Sequence, residues 1–477
     1  MSARLQTWRV AVGTMLIAAL SGCAVGPEYQ RPSTAAPAVY KEAPTEAGAT
    51  WFPAAPADTL DRGDWWRLFG DAALNELMAQ VEPANQNVAA AVANYRQAQA
   101  LVREARAARF PVLGVGVAAR RSGGRSTPEQ RSVDASLDAD WAPDVWGRLG
   151  RGVERAVATE QASAADLAAA RLSAQGELAI DYFQLREADA EAALLQQTLE
   201  GYERTLQIAQ NRYAAGVVPR TDVLQAETQL ANTRAEIAAL RADRARFEHA
   251  IAVLVGKAPA EFSLPEAPWT VAVPAVPLGL PSTLLERRPD IAAAERDVAA
   301  ANAQIGIERS AFFPSLTLGA SIGSGGSRIG DLFSVSGALW SLGASVAQTI
   351  FDAGATRARV AGAEASRDAA VARYRQTVLV AFQSIEDQLS TTRSLAEQGA
   401  LRRQASSAAD LIEQQILNRY RAGQVSYTEV VTAQASALSA RRSLVRIAVE
   451  RQVSAITLIQ ALGGGWSTSS PVAIETP

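Results

Sequence analysis

Residues 211–223 read NRYAAGVVPRTDV, and residues 418–430 read NRYRAGQVSYTEV. The two segments lie 207 residues apart, and each carries a glycine where a helix would have to stop. Long helical patterns flank both segments, and glycine is the residue that most often ends a helix in the left-handed conformation. We therefore predict that each segment is the tip of a helical hairpin.

The similarity between the two parts of the chain extends beyond the tips. The helical pattern after the first tip ends at Leu254-Val255-Gly256, and the one after the second ends at Ala461-Leu462-Gly463. Upstream, Phe110-Pro111 matches Phe313-Pro314 at an offset of 203 residues. Chance similarity between alanine-rich helices does not explain the match, because glycine, proline and aromatic residues stay in register. The sequence predicts an internal two-fold repeat of helix, strands and helical hairpin.

Composition excludes several classes of protein. The chain has 477 residues and a net charge of −3, whereas a nucleic-acid-binding protein needs a basic stripe. One histidine and one cysteine leave almost no ligands for a metal site and no base for a histidine-dependent catalytic centre. We predict no nucleic-acid partner, no cofactor, no metal site and no enzymatic activity.

Residues 1–22 predict a signal peptide. Arg4 and Arg9 precede an apolar run over residues 10–20, which is too short to span a bilayer. The run ends at Ser21-Gly22-Cys23, which resembles a bacterial lipobox. This resemblance implies cleavage before Cys23 and lipid on its amine and sulfur. The alternative is an ordinary signal peptide followed by an incidental cysteine.

The residues after Cys23 predict the membrane to which the protein is sorted, and they predict a linker. The residue after Cys23 is Ala24 and not an aspartate. By resemblance to the sorting signals of bacterial lipoproteins, this favours the outer membrane. Residues 23–60 are rich in proline, alanine and threonine, which predicts a lipidated N-terminal tether.

The hydrophobic period changes to that of strands in two regions, residues 112–142 and 314–350. In both regions apolar residues alternate with polar or small ones around a glycine-rich turn, which predicts two strand pairs. The apolar positions are Leu113, Val115, Val117, Ala119, Val133, Ala135, Leu137, Ala139, Trp141, Leu316, Leu318, Ala320, Ile322, Trp340, Leu342, Ala344 and Val346.

Strands with one apolar and one polar face are typical of a transmembrane β-barrel, although half of a soluble sandwich gives the same pattern. The sorting signal favours the barrel. Four strands leave two open edges, which hydrocarbon does not tolerate, so several copies of the chain must share one barrel. Two copies would give eight strands and three would give twelve, and periodicity does not choose between them.

Two long helical hairpins are predicted, over residues 145–256 and 353–462. A helix of close to seventy residues would be about 100 Å long. Apolar residues at spacings of three and four predict antiparallel coiled-coil packing within each hairpin. Arg451 interrupts one seam at the position equivalent to Arg244, and Glu413 weakens another.

The predicted organisation follows the repeat. It comprises a signal peptide (1–22), a lipidated tether (23–60), a first structural repeat (61–270), a second structural repeat (271–465) and a C-terminal tail (466–477).

Several motifs together resemble the outer-membrane factor family, which is TolC-like, and its OprM/NodT-type lipoprotein branch in particular. The motifs are CAVGPEY at 23–29, WWRLFGD at 65–71, RRPDI at 287–291, FFPS at 312–315 and the Arg-Tyr-x-Ala-Gly of each tip. The resemblance covers nearly the whole chain. It implies an α+β membrane protein: a homotrimer with a twelve-stranded β-barrel, four strands per protomer, continued by a long periplasmic α-helical coiled-coil barrel.

The function that the resemblance implies is that of a passive exit channel in a tripartite efflux system of the RND type. The partners would be a periplasmic adaptor protein, an inner-membrane RND transporter and outer-membrane lipid. The protein would be anchored by its lipid in the cell outer membrane and would extend into the periplasm. Two alternatives stay open: the outer-membrane component of type I protein secretion, and a structural envelope lipoprotein that conducts nothing.

By the same resemblance, the tips carry the periplasmic gate and the turns on which the adaptor docks. Tyr420 and Asp222 match members of the family's gating network, and Glu429 keeps the charge of one acidic-ring position. Val425 stands where the network has an arginine, which neighbouring arginines would have to replace. The predicted gate residues are Arg212, Tyr213, Asp222, Arg419, Tyr420, Arg421 and Glu429. The predicted docking turns are Gly216, Val217, Gly423 and Gln424.

A purely structural interpretation of the same residues is possible. Thr221 and Asp222 are residue types that cap the N-terminus of a helix, and the glycine of each tip would end the preceding helix. One residue can serve both roles.

Overall fold

The computed structural model describes residues 25–34, 37, 39–42, 62–125, 127–269, 272–274, 288–334 and 338–464. The predicted signal peptide, the lipid-attachment residue Cys23, most of the predicted tether and the predicted C-terminal tail lie outside the described residues.

Helices and antiparallel strands alternate along the chain. The helices are α1 (Ala72–Ala84), α2 (Gln86–Ala107), α3 (Arg148–Ala214), α4 (Arg220–Leu254), α5 (Pro289–Ser310), α6 (Ala355–Arg421) and α7 (Tyr427–Ala461). The strands are β1 (Val112–Gly124), β2 (Thr127–Trp141), β3 (Ser315–Gly326) and β4 (Ala338–Ala347). Helices α3 and α6 have 67 residues each, and α4 and α7 have 35 each. None of the described helices is both long and apolar enough to cross a bilayer.

The chain divides into two compact units, and neither unit coincides with one half of the sequence. The first unit takes residues 1–34, 93–165 and 293–376, and it contains the four strands. The second unit takes residues 35–92, 166–292 and 377–477, and it contains both hairpin tips. Each unit therefore combines segments from both of the predicted repeats.

The strands form one sheet in the order β1-β2-β3-β4. The pairing aligns apolar residues across all four strands, because Val115 faces Leu137, Leu137 faces Ile322, and Ile322 faces Trp340. The apolar face is open to the surroundings, with Val115 and Trp340 each 79% exposed. The alternation read from the sequence thus produces an uncovered apolar face. Within the described residues, β1 and β4 are the edges of the sheet.

The tryptophan pair before α1 packs in the core of the second unit. Trp65, Trp66 and Phe69 are all buried, and Trp65 meets the other two rings edge-on. Asp71 caps α1 by accepting a backbone N–H of its first turn, and it also accepts the Tyr182 hydroxyl at 2.8 Å. These aromatic side chains therefore pack a core.

A buried ionic network joins α3, α4 and the loop that follows α4. Asp189 accepts Arg186 Nη1 at 2.8 Å and Arg244 Nε at 2.6 Å. The same arginines donate to loop carbonyls, Arg186 to Pro265 at 2.9 Å and Arg244 to Leu264 at 2.6 Å. The charge that interrupts the α4 seam at Arg244 is therefore paired, and it fixes the loop.

Residues 25–31 are held against α3 and α5 in the first unit. Arg151, which is buried, contacts Glu28 at 2.9 Å and Glu154 at 2.7 Å. The Tyr29 hydroxyl donates to Glu295 at 3.1 Å. This part of the predicted tether is bound to the fold and does not act as a free linker.

Residues 40–42 are bound in the second unit. The backbone N–H groups of Lys41 and Glu42 donate to Glu386 at 2.8 and 2.9 Å, and Glu42 pairs with Arg393 at 3.1 Å. Tyr40 is buried in a hydrophobic cluster with residues of α6 and α7. A composition rich in proline and alanine predicted flexibility here, but specific side-chain contacts prevail.

Candidate functional site

Both hairpin tips end their first helix with the same glycine-dependent turn. Gly216 has a φ of +71° and Gly423 a φ of +74°. In the first tip the N–H of Val217 donates to the carbonyl of Arg212 at 2.9 Å, and in the second Gln424 donates to Arg419 at 2.9 Å. These bonds form Schellman motifs, whose left-handed residue has no steric penalty only when it is glycine. The predicted helix stops are confirmed.

The second helix of the first tip begins differently from the prediction. Pro219 precedes α4 at its N-cap, so Thr221 and Asp222 are not the capping residues. Proline cannot cap through its side chain, and the acidic Asp222 lies in the first turn, where it complements the helix dipole. At α7 the N-cap is Ser426, whose N–H donates to the Glu429 carboxylate at 3.4 Å.

Arg212 joins the two tips. Its Nη1 donates to the backbone carbonyl of Tyr420 at 2.8 Å, and its guanidinium lies 4.7 Å from the centroid of the Tyr420 ring. Arg212 belongs to the first hairpin and Tyr420 to the second, so this contact connects hairpins that are far apart in sequence. We call it the Arg212–Tyr420 contact.

Tyr420 belongs to a small hydrophobic core behind the tips. It is 1% exposed and clusters with Ala226, Tyr427 and Val430. The two tyrosine rings lie 5.6 Å apart. Burial raises the pKa of Tyr420, and the negative charge of Asp222 acts in the same direction. The phenol therefore stays neutral at physiological pH.

The predicted pairing of Tyr420 with Asp222 is not a hydrogen bond within one protomer. The Tyr420 hydroxyl is buried without a hydrogen-bond partner among the residues that the structure describes. Asp222 lies near enough for its negative charge to contribute to the raised pKa of Tyr420, although burial is the larger cause. The structure thus brings together Arg212, Tyr420 and Asp222.

The other predicted tip residues lie at the surface. Tyr213 is 47% exposed and Val217 is 62% exposed. These two side chains are exposed, whereas Arg212 and Tyr420 contact each other. The remaining predicted residues that are exposed are Gly216, Arg419, Arg421, Gly423, Gln424 and Glu429.

Sequence reasoning missed the charged residues that tie the hairpins together further along the helices. Arg442 of α7 binds Glu191 of α3 and Glu236 of α4, both at 3.0 Å. Arg441 binds Asp410 and Glu413 of α6 at 2.8 and 2.6 Å. The acidic interruption of the α6 seam, noted at Glu413, was the available signal, because an acid in a seam needs a basic partner.

Three features bear on the predicted chemistry of the chain: metal ligands, the single histidine and the single cysteine. Within the described ranges, no group of three or more histidine, cysteine, aspartate or glutamate side chains is placed to hold a metal ion. His249, the single histidine of the sequence, is exposed on α4. Cys23, the predicted lipid-attachment residue, lies outside the described residues.

Known proteins resemble this chain over almost its whole length. The family model described as outer membrane efflux protein matches residues 77–257 and 280–464. The cation efflux system protein CusC of Escherichia coli O6:H1 is 29% identical over 458 residues, which cover 94% of this chain and 97% of CusC. The pyoverdine export outer membrane protein OpmQ of Pseudomonas aeruginosa is 31% identical over 429 residues, which cover 86% of this chain and 89% of OpmQ.

A solved structure agrees with these relatives. The outer-membrane channel OprN superposes with a TM-score of 0.85 at 33% identity, and the match covers 93% of this chain and 100% of OprN. The four-stranded sheet, the paired long helices and the glycine turns described above all lie within the residues that the family model matches. The chain therefore belongs to the outer membrane efflux protein family.

Proposed function

We infer that this chain is the outer-membrane exit channel of a tripartite efflux system, a passive conduit from the periplasm to the exterior. The observation that carries this function is the sheet, whose apolar face is uncovered and whose edge strands are both open as far as the described residues extend. An uncovered apolar face fits lipid, and open edges within lipid require further strands. The names of two relatives support this function, since CusC is named for cation efflux and OpmQ for pyoverdine export at the outer membrane.

The missing strands come from two further copies of the chain. Each protomer supplies four strands, so three copies close a barrel of twelve. A barrel of about eight strands has an interior that side chains fill, and larger barrels leave an aqueous channel. Three copies therefore give a water-filled channel, while two do not. The long helices of three protomers would continue that channel as a periplasmic helical barrel.

The N-terminus anchors the protein in the outer membrane through lipid on Cys23. The contacts of residues 25–31 with α3 and α5 support this anchor, because they bring the chain to within two residues of Cys23 in a bound state. The two-fold repeat, with halves at 61–270 and 271–465, accounts for the equal lengths of the paired helices.

The tips close the channel and receive the adaptor. Exposed residues of the turns, such as Val217 and Gln424, supply the docking surface for a periplasmic adaptor that connects to an inner-membrane RND transporter. Arg212, Asp222 and Tyr420 hold the hairpins in the closed arrangement. CusC and OpmQ are named for different cargoes, a cation and a pyoverdine. Selectivity therefore belongs to the transporter, and the channel serves as a common exit.

Dye leakage tests this function. The purified protein is inserted into liposomes loaded with a small fluorescent dye, and release is compared between wild type and the double variant Arg212→Ala, Asp222→Ala. We expect slow release from the wild type and faster release from the variant. Glu227→Ala, an exposed acidic residue of α4 outside the tip contact, is the matched control and should behave as wild type.

Two other results would contradict parts of the proposal. Liposomes that stay sealed with every variant would indicate a structural lipoprotein without a channel. Equal release from wild type and double variant would show that these tip residues do not hold the channel shut.

A further inference from the structure

Two arginines face each other at the end of the apolar face of the sheet. Arg121 of β1 pairs in register with Arg131 of β2. Arg121 continues the outward series of Leu113, Val115 and Val117, so both arginines lie on the apolar side. Like charges directly opposite each other destabilise a sheet, and this position therefore calls for a compensating partner.

Glu129 compensates for only part of this charge. It accepts Arg121 Nη2 at 2.7 Å and Arg131 Nε at 2.9 Å. Two guanidinium groups and one carboxylate leave a net charge of +1. The arginine side chains are 65% and 62% exposed, and the two terminal nitrogens of Arg131 are unpaired within the part of the chain that the structure describes. The cluster can accept a further anion.

The distance of this cluster from the helical end of the sheet is close to the thickness of the apolar band of an outer-membrane barrel. From Leu113 to Arg121 the strand advances about 26 Å at 3.3 Å per residue. A strand tilt of about 40° reduces this to about 20 Å along the membrane normal, close to the roughly 25 Å apolar band of outer-membrane barrels. Trp141 marks the opposite edge of the band, at the end where the strands join the helices.

Arg121 and Arg131 therefore lie at the same level, on the side of the barrel that meets lipid and at the end remote from the helices.

We propose that Arg121 and Arg131 form a binding site for the phosphate of a lipid headgroup in the outer leaflet of the outer membrane. The inference rests on the proposed function, because it requires the sheet to be a membrane barrel. Guanidinium groups bind phosphate through paired N–H donors, and they remain charged at any physiological pH. The lipid phosphate completes the neutralisation that Glu129 begins.

Two other partners would explain the same cluster. Glu129 would be the only partner that the two arginines need if the three residues only fixed the register of the β1–β2 hairpin. An acidic residue of a second copy would suffice if Arg121, on an edge strand, were paired across the barrel seam. Each alternative gives a different experimental result.

Native mass spectrometry of the full-length protein in detergent measures the binding of lipid A. The double variant Arg121→Gln, Arg131→Gln is compared with wild type, using diphosphorylated and fully dephosphorylated lipid A as probes. We expect the double variant to bind the diphosphorylated form at least about tenfold more weakly, because hydrogen bonds between charged groups are lost. The dephosphorylated form should bind wild type and variant equally.

Arg120→Gln is the control for loss of an arginine from the same strand that does not belong to the proposed site. Arg120 is adjacent to Arg121 but lies on the polar side of β1, opposite Ser132, so its loss should leave lipid binding unchanged. Glu129→Gln should bind lipid at least as tightly as wild type, since the competing carboxylate is gone. Inorganic phosphate at millimolar concentration should not displace the lipid.

Several outcomes would overturn the site. Displacement by inorganic phosphate would indicate a general anion site, and unchanged lipid binding with a lower melting temperature would indicate a hairpin lock. Dissociation of the assembly in the double variant, with lipid binding intact, would indicate a contact between copies. Wild-type protein that fails to insert into liposomes would instead contradict the proposed function, so the two failures are distinguishable.

Discussion

Removing the side chain of Arg212 should open the channel. The side chain makes a charge-assisted hydrogen bond to the Tyr420 carbonyl and stacks on its ring. Such a hydrogen bond contributes about 1.5–3 kcal/mol and an exposed cation–π contact about 0.5–1 kcal/mol. Because Arg212 is partly exposed, the lower values apply, and the loss is about 2 kcal/mol per protomer. At about 1.4 kcal/mol per tenfold change, the loss of each contact lowers the population of the closed state roughly thirtyfold.

Single-channel recording in a planar bilayer measures this change directly. Arg212→Ala should raise the open probability at neutral pH and low voltage, relative to wild type. Arg419→Ala is the matched control, because Arg419 occupies the equivalent position in the second tip but is exposed. Unchanged open probability in Arg212→Ala would refute the reasoning. An equal increase in both variants would show that tip charge, and not the contact with Tyr420, controls opening.

Three further predictions concern stability. Asp189→Ala should lower the free energy of unfolding by about 3–5 kcal/mol, because it leaves buried arginines without their carboxylate partner. Thermal melting in detergent measures this loss. The control is Asp243→Ala, which removes an exposed carboxylate and should have almost no effect. Burial and the charge of Glu191 raise the pKa of Glu187 from 4.5 to about 7. The folded form therefore keeps its proton to higher pH than the unfolded chain, so stability should fall between about pH 4.5 and 7 and then level off. Glu187→Gln should flatten that decline, and an unaltered melting profile against pH would contradict the assignment. Gly216 has a φ of +71°, so Gly216→Ala should lower the free energy of unfolding by about 1–2 kcal/mol. Hydrogen exchange of the backbone amides at the tip should become faster, and unchanged exchange rates would contradict this prediction.

Local features of the fold were predictable from the sequence. Gly216 and Gly423 end their helices because only glycine adopts a positive φ without strain, and this requirement depends on one residue. The strands were predictable for a similar reason. Alternation of apolar and polar residues has a period of two, which matches the geometry of a strand and no other element.

Features that depend on distant partners were not predictable. The composition of residues 23–60 predicts a linker, and nothing in it reveals that Arg151 binds Glu28 across 123 positions. The tips show the same limit, because Arg212 contacts a backbone carbonyl of Tyr420, and a carbonyl is present at every residue. Asp222 resembled a cap by type, yet the Pro219 backbone occupies that position. A residue type indicates what a side chain can do, while its partner depends on the packing of helices.

The number of chains in the purified protein tests the central claim most directly. In the described part of one protomer the sheet exposes its apolar face and both edges, and three copies are needed to complete the proposed twelve-stranded barrel. Mass measurement of the detergent-solubilised protein, by native mass spectrometry or light scattering, should give three chains. A stable monomer, or an assembly of two, would contradict the account.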